Sequence, residues 1–118
     1  MERFQVSRAR CVTVDEWNTM ELEVSDEELN HWEFLEDQGK EIAEFPWNSK
    51  IRDGRLRVKI DDRTMFFDSN SDLVKNGPKP GSIVSCIIEF KHYNYKEMSG
   101  LSARAYQVKI YDSGWMGV

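Results

Sequence analysis

The chain has 118 residues, 40% of them hydrophobic and 12% aromatic, and a formal net charge of -5. That length fits one domain around one core, and the apolar content excludes a disordered segment, which could not offset the entropy of ordering. The net charge hides an asymmetry: twelve acids stand against one base, Lys40, between Asp15 and Glu44, whereas twelve bases meet eight acids from Ser49 onward. Such sorting fits either a polyanion-binding surface beside an acidic one or two solvated faces of an acidic protein, and charge alone favours the second.

The opening Met1-Glu2-Arg3-Phe4 lacks a basic start followed by an apolar run. The longest stretch free of charge and strong breakers, Ser82 to Ile88, is far short of the roughly 20 residues of a membrane span. A cytoplasmic location with no membrane contact is the expectation. The two cysteines, Cys11 and Cys86, sit in apolar, strand-like stretches with no CxxC pair or histidine at metal spacing, and read as buried free thiols.

Phe4 to Val14 mixes β-branched, apolar and basic residues without Gly or Pro and predicts a first strand. Ser25-Asp26-Glu27-Glu28 has the form of a capping box, and Leu29, Trp32 and Leu35 follow at helical spacing, predicting one acidic helix over Asp26 to Asp37 that ends near Gly39. From Arg55 to Ile60 the pattern alternates: Leu56, Val58 and Ile60 on one face, Arg55, Arg57 and Lys59 on the other. Asp61-Asp62 then reads as a turn, with Thr64 to Phe67 returning as the second strand of a hairpin. Asn76-Gly77-Pro78-Lys79-Pro80-Gly81 is a loop. Two long strands follow, Ser82 to about Tyr95 and about Leu101 to Asp112, joined through Met98, Ser99 and Gly100. We find no repeat or interdomain linker, so residues 1–118 are expected to form one mainly β domain. The expected fold is an OB-like Greek-key barrel of about five strands with one acidic helix.

The densest candidate chemistry is Lys91-His92-Tyr93-Asn94-Tyr95-Lys96 followed by Arg104-Ala105-Tyr106-Gln107-Val108-Lys109. Alternation sets Lys91, Tyr93 and Tyr95 on one face, so rings and a cation lie side by side. Bases stack on aromatic faces at about 1 to 3 kcal/mol each without regard to sequence, while lysine and arginine neutralise phosphates. On that chemistry Tyr93, Tyr95 and Tyr106, and after them Trp47, are candidate stacking residues; the alternative is that the three tyrosines are ordinary half-buried strand residues. Lys91, Lys96, Arg104, Arg57 and Lys59 are candidate phosphate contacts.

The run from Gly81 to Tyr95, followed by Ser99-Gly100-Leu101-Ser102 and the strand through Gln107-Val108, resembles the C-terminal strand pair of bacteriophage single-stranded DNA-binding proteins with an OB-fold. The similarity covers about a quarter of the chain. It implies single-stranded DNA as partner, no cofactor, and a role in replication or recombination. Many such proteins end in an acidic tail that recruits replication partners. Here the acidic block lies in the N-terminal half, and the chain closes with Asp112-Ser113-Gly114-Trp115-Met116-Gly117-Val118. A replication or recombination protein docking on the acidic segment is a further implied partner, and a homodimer stays open.

Two other readings compete. Glu89-Phe90-Lys91 with Asp72 or Asp68 upstream has the outline of a Mg²⁺-dependent nuclease centre, although the strand leads to another strand where that superfamily places a helix. The acidic helix, with Trp32, Phe34 and Leu35, could instead be a protein-interaction or DNA-mimic surface. Of the two histidines, His31 falls in the acidic helix and His92 among the tyrosines, where it suits stacking or a phosphate.

Overall fold

A computed structural model of the chain describes residues 2–111. The alternating pattern of Glu2–Val14 forms a long strand, β1, which pairs antiparallel with β2 (Thr19–Glu23). Helix α1 spans Asp26–Lys40, three residues beyond the expected end, and its capping box forms as the sequence predicts: Ser25 Oγ accepts from Glu28 N at 3.1 Å and Glu28 Oε1 accepts from Ser25 N at 3.1 Å. After α1 come the two-residue strands β3 (Trp47–Asn48) and β4 (Ile51–Arg52), then β5 (Arg55–Lys59), β6 (Met65–Phe67), β7 (Leu73–Val74), β8 (Ile83–Tyr95) and β9 (Met98–Tyr111).

Five of these strands close a ring. β5 pairs with β2, β2 with β1, β1 with β8, β8 with β9, and β9 returns to β5 through the parallel bridge Lys59↔Arg104. The fold is therefore mainly β with one helix and OB-like in strand order, as expected. Four short strands, β3, β4, β6 and β7, extend the five ring strands, so that the sheet has nine strands among the described residues.

The ring encloses one cluster of buried apolar residues that includes Val6, Met20, Leu22, Leu56, Val58, Val84, Ile88 and Val108. Helix α1 lays its apolar side on that cluster. Trp32 is fully buried and meets Phe4 and Phe90 edge-on, with ring centroids 5.2 and 5.6 Å apart. Trp32 thus belongs to the core, which corrects its assignment to an exposed acidic docking face; Phe34 is the exposed aromatic of the helix. Cys11 and Cys86 are buried free thiols, and burial pushes their pKa values up to about 11 and about 12. Among the described residues no helix is long and apolar enough to cross a membrane.

Two further expectations are corrected. The segment after Asp61-Asp62 does not fold back on β5. Asp61 accepts from Arg63 N and Thr64 N, and Thr64 Oγ1 donates to Ala105 O at 2.7 Å, which directs β6 into parallel pairing with β9 (Met65↔Gln107) and antiparallel pairing with β7. The turn of the long hairpin is Lys96-Glu97, with φ of 51° and 62°, and Met98, Ser99 and Gly100 already belong to β9. Those dihedrals match the two-residue turn normally built from Asn-Gly, so Lys-Glu gave no turn signal. The far end of the last expected strand, Asp112, lies outside the described residues.

Candidate nucleic-acid interface

Gly100 shows how the sequence builds this surface. A Cβ there would stand 2.7 Å from Asn48 O and 2.8 Å from the Tyr93 hydroxyl, so only glycine lets β3 pair with β9 (Asn48↔Gly100) while the Tyr93 ring crosses the same spot. Tyr93 is half-buried, its hydroxyl accepts from Asn48 Nδ2 at 3.2 Å, and Lys50 Nζ stands 5.4 Å from its ring centroid. Tyr95, two residues on and on the same side by strand parity, is 65% exposed beneath Lys96, whose Nζ lies 5.3 Å from the ring centroid. Lys91 is exposed on β8, opposite Ser102 of β9.

Beside this ribbon runs a groove lined by Thr19, Asn48, Ser49 and Ala103 together with four cations, Lys50, Arg52, Arg57 and Lys59. No acid lines it. β5 sends Arg55, Arg57 and Lys59 to the outer face while Leu56 and Val58 fill the core, as their alternation requires. Arg57 lies 3.8 Å from both Asp15 and Glu21, too far for hydrogen bonds, and among the described residues its buried Nε has no acceptor. A buried donor left unmatched calls for an account, and an anion entering the groove would supply its missing partner.

Trp17 was missed by the sequence reading. It is 71% exposed in the β1–β2 turn, two residues before Thr19. The turn is fixed: Asp15 Oδ1 accepts from Trp17 N and from Thr19 N, each at 2.9 Å, and Asn18 O accepts from Ile60 N at 2.7 Å. The signal in the sequence is Asp15 followed by Asn18, an Asx turn presenting a tryptophan, and the surrounding run of acids masks it.

The other expected residues lie elsewhere. Trp47 is half-buried against the end of α1: its Nε1 donates to Glu36 Oε1 at 3.3 Å, its ring lies 5.9 Å from that of His92, and a Cβ on Gly39 would come within 2.5 Å of it. His92 Nε2 is buried without a partner. Arg104 donates to Asp61 Oδ2 at 2.6 Å and to Glu89 Oε1 at 2.9 Å, and its Nε hydrogen bond holds the Asp61 carboxyl below the usual carboxylate range. Tyr106 occupies a bulge opposite Ile87 and Ile88, about 20 Å along the ribbon from Tyr93 by strand rise. Its ring lies under Arg3, whose guanidinium carbon is 4.4 Å from the centroid.

The carboxylates of the nuclease reading are engaged otherwise. Glu89 pairs with Arg3 and Arg104, and Asp68 Oδ1 accepts the backbone N–H groups of Asn70 and Asp72. Among the described residues no three His, Cys, Asp or Glu side chains gather as a metal site.

No family model and no curated protein matches the sequence. Among solved structures, the chain is similar to gp2.5 of bacteriophage T7, described as a single-stranded DNA-binding protein, with a TM-score of 0.64 over 95% of this chain and 92% of that one. Sequence identity is 9%, so what the two proteins demonstrably share is the fold.

Proposed function

We propose that the chain binds single-stranded DNA without strong sequence preference and without catalysis, covering exposed strand during replication or recombination in the cytoplasm. The observation that carries this reading is the groove of Lys50, Arg52, Arg57 and Lys59, which among the described residues has no lining acid and holds a buried guanidinium N–H without an acceptor. The likeness of fold to a phage single-stranded DNA-binding protein supports the same class of ligand. Phosphates would follow the groove cations and continue along Lys91 and Lys96. Bases would stack on the exposed Tyr95, on Tyr93 and on Trp17. Trp47 holds β3 in place, and Arg104 supports the ring closure beside Lys59.

The test is the anisotropy of a fluorescent oligo-dT titrated with protein at two salt concentrations. About five phosphate contacts predict a fall of log affinity against log salt with a slope of roughly -3 to -4, at about -0.7 per contact. Duplex of equal length should bind more weakly because its bases are already stacked. A flat salt dependence overturns the groove. No binding at low salt leaves the acidic face of α1, where Phe34 is 58% exposed, as the working surface for a basic protein partner.

A further inference from the structure

Two bulges flank the middle of β8 on the outer face of the sheet. In β1 the register with β8 shifts between Val6 and Ala9, and Arg8 takes φ 51°. In β9 it shifts at Ile87/Ile88, so that Tyr106 has no residue opposite. Bulges re-aim side chains and interrupt the ladder, and they recur beside binding sites. Next to them lies a cavity of about 430 Å³ whose lining includes Phe67, Tyr111, Lys109, Gln5, Gln107 and Ile87. Among the described residues it shares no lining residue with the groove, and no acid lines it.

The chain fixes this cavity by hydrogen bonds. Ser85 Oγ accepts from Arg8 N at 3.0 Å and shares a hydrogen bond with the Tyr111 hydroxyl at 3.2 Å, while Glu28 at the start of α1 accepts from Ser7 N at 2.8 Å. The Arg8 guanidinium carbon lies 4.1 Å from the Tyr111 ring centroid and Lys109 Nζ lies 5.6 Å from it. Among the described residues neither cation forms an ion pair with a carboxylate.

We propose that this cavity is a second nucleotide site, taking one nucleobase with its phosphate. Its volume falls in the range of about 300 to 1,000 Å³ typical of small-molecule sites. Phe67 and Tyr111 offer ring surface, and a guanidinium laid on an aromatic ring offers a flat cationic surface on which a base stacks. The amides of Gln5 and Gln107 each carry donors and an acceptor, matching a base edge. Lys109 and Arg8 supply charge for the phosphate. The nucleotide arrives either as a free nucleoside monophosphate or as one unit of a strand. The proposal rests on the single-stranded DNA reading for its class of ligand but not for its location.

The test follows ¹H–¹⁵N spectra of the full chain titrated with dTMP, with a thymidine trinucleotide and with inorganic phosphate. We expect dTMP to shift the amides of Gln107, Lys109 and Tyr111 saturably. A trinucleotide that shifts the same set at lower concentration identifies a strand as the source; equal potency identifies the free nucleotide. Lys109→Glu should weaken the dTMP response by about tenfold, the loss of one charge-assisted contact. Arg8→Asn, which tolerates the same positive φ, should weaken it in the same direction. The groove double variant Lys50→Glu/Arg57→Gln should abolish oligo-dT anisotropy and leave the dTMP shifts intact, so the groove and the cavity can fail separately. The proposal is overturned by the absence of saturable shifts with both nucleotides, by a response that inorganic phosphate alone reproduces, or by one that Lys109→Glu leaves unchanged.

Discussion

The carboxylate of Glu36, on α1, accepts the backbone N–H of Lys50 at 2.8 Å, which ties the acidic helix to the start of the basic groove. The same carboxylate accepts from Trp32 Nε1, Trp47 Nε1 and Ser49 Oγ, and the residue is 3% exposed. One member of the acidic block is therefore a structural acceptor for four donors rather than a solvated charge. Glu36→Ala leaves those donors without it and should cost about 3 to 5 kcal/mol of stability, read from denaturant melts. Neutralising Glu33, Asp37 and Glu41 together, all exposed, should change stability by less than about 1 kcal/mol. Oligo-dT affinity should rise in that triple variant if the block repels DNA. Unchanged affinity would assign the block to another partner.

Tyr93 and Tyr95 share a face but not an environment. Tyr95→Ala should leave the melting midpoint in place and weaken oligo-dT binding by about 1 to 3 kcal/mol, with Tyr95→Phe nearly neutral. Tyr93→Ala should lose both stability and affinity, since the ring packs across Gly100 and its hydroxyl is bonded to Asn48. Measuring both quantities on the same samples separates the two tyrosines. Equal behaviour at the two positions would contradict this description of the ribbon.

Much of the architecture was legible because it follows from short-range pattern. The alternation of Arg55 to Lys59, the capping box of Ser25 and Glu28, and the two long strands at the C-terminal end each carry their cause in adjacent residues. What escaped depends on contacts distant in sequence. Thr64 leaves β5 because its hydroxyl finds Ala105, 41 residues away, and Gly100 reads as a turn glycine until Tyr93 and Asn48 are seen to converge on it. The site follows the same division. The basic row of β5 and the tyrosines of β8 were visible, whereas Lys50 reaches the groove from the link between β3 and β4 and Arg52 from β4, strands of only two residues each.

Acid should test the closure of the ring. The Arg104 hydrogen bond holds the Asp61 pKa below its ordinary value, so the folded value lies below the unfolded one. The ion pair therefore contributes stability above the unfolded pKa of about 3.9 and loses it as pH falls through the lower, folded value. With side chains 17% and 27% exposed, the contribution should stay near or below about 1 kcal/mol. Asp61→Asn should flatten the acid limb of the stability curve relative to the parent. It should also tighten oligo-dT binding at neutral pH, since Arg104, bridged to Lys59 across the closing strands, then keeps Glu89 as its one carboxylate partner among the described residues. An acid limb unchanged in the variant would show that other carboxylates govern acid unfolding.

Gly100→Ala tests whether the ribbon and the groove act as one surface. The added methyl would sit 2.7 Å from Asn48 O and 2.8 Å from the Tyr93 hydroxyl, closer than real Cβ contacts occur, so both neighbours must give. The backbone of β3 is held by pairing to β9 and by Ser49 and Lys50 bonding to Glu36, whereas the Tyr93 ring has Asn48 Nδ2 as its side-chain hydrogen-bond partner. The ring should yield first, swinging away from Lys50 at a cost of about 1 to 3 kcal/mol in stability, as for other overpacked sites. Oligo-dT affinity should fall with it, and adding Tyr93→Ala to Gly100→Ala should recover neither stability nor affinity, because the contact with Asn48 O remains and the packing of the ring is lost. Gly39→Ala is the matched control. It crowds the Trp47 ring at the end of α1 and should cost stability by a comparable amount while leaving the response of affinity to Tyr93 substitution unchanged. If Gly100→Ala lowers stability but leaves oligo-dT affinity intact, Tyr93 is a packing residue alone, and the bases stack on Tyr95 and Trp17.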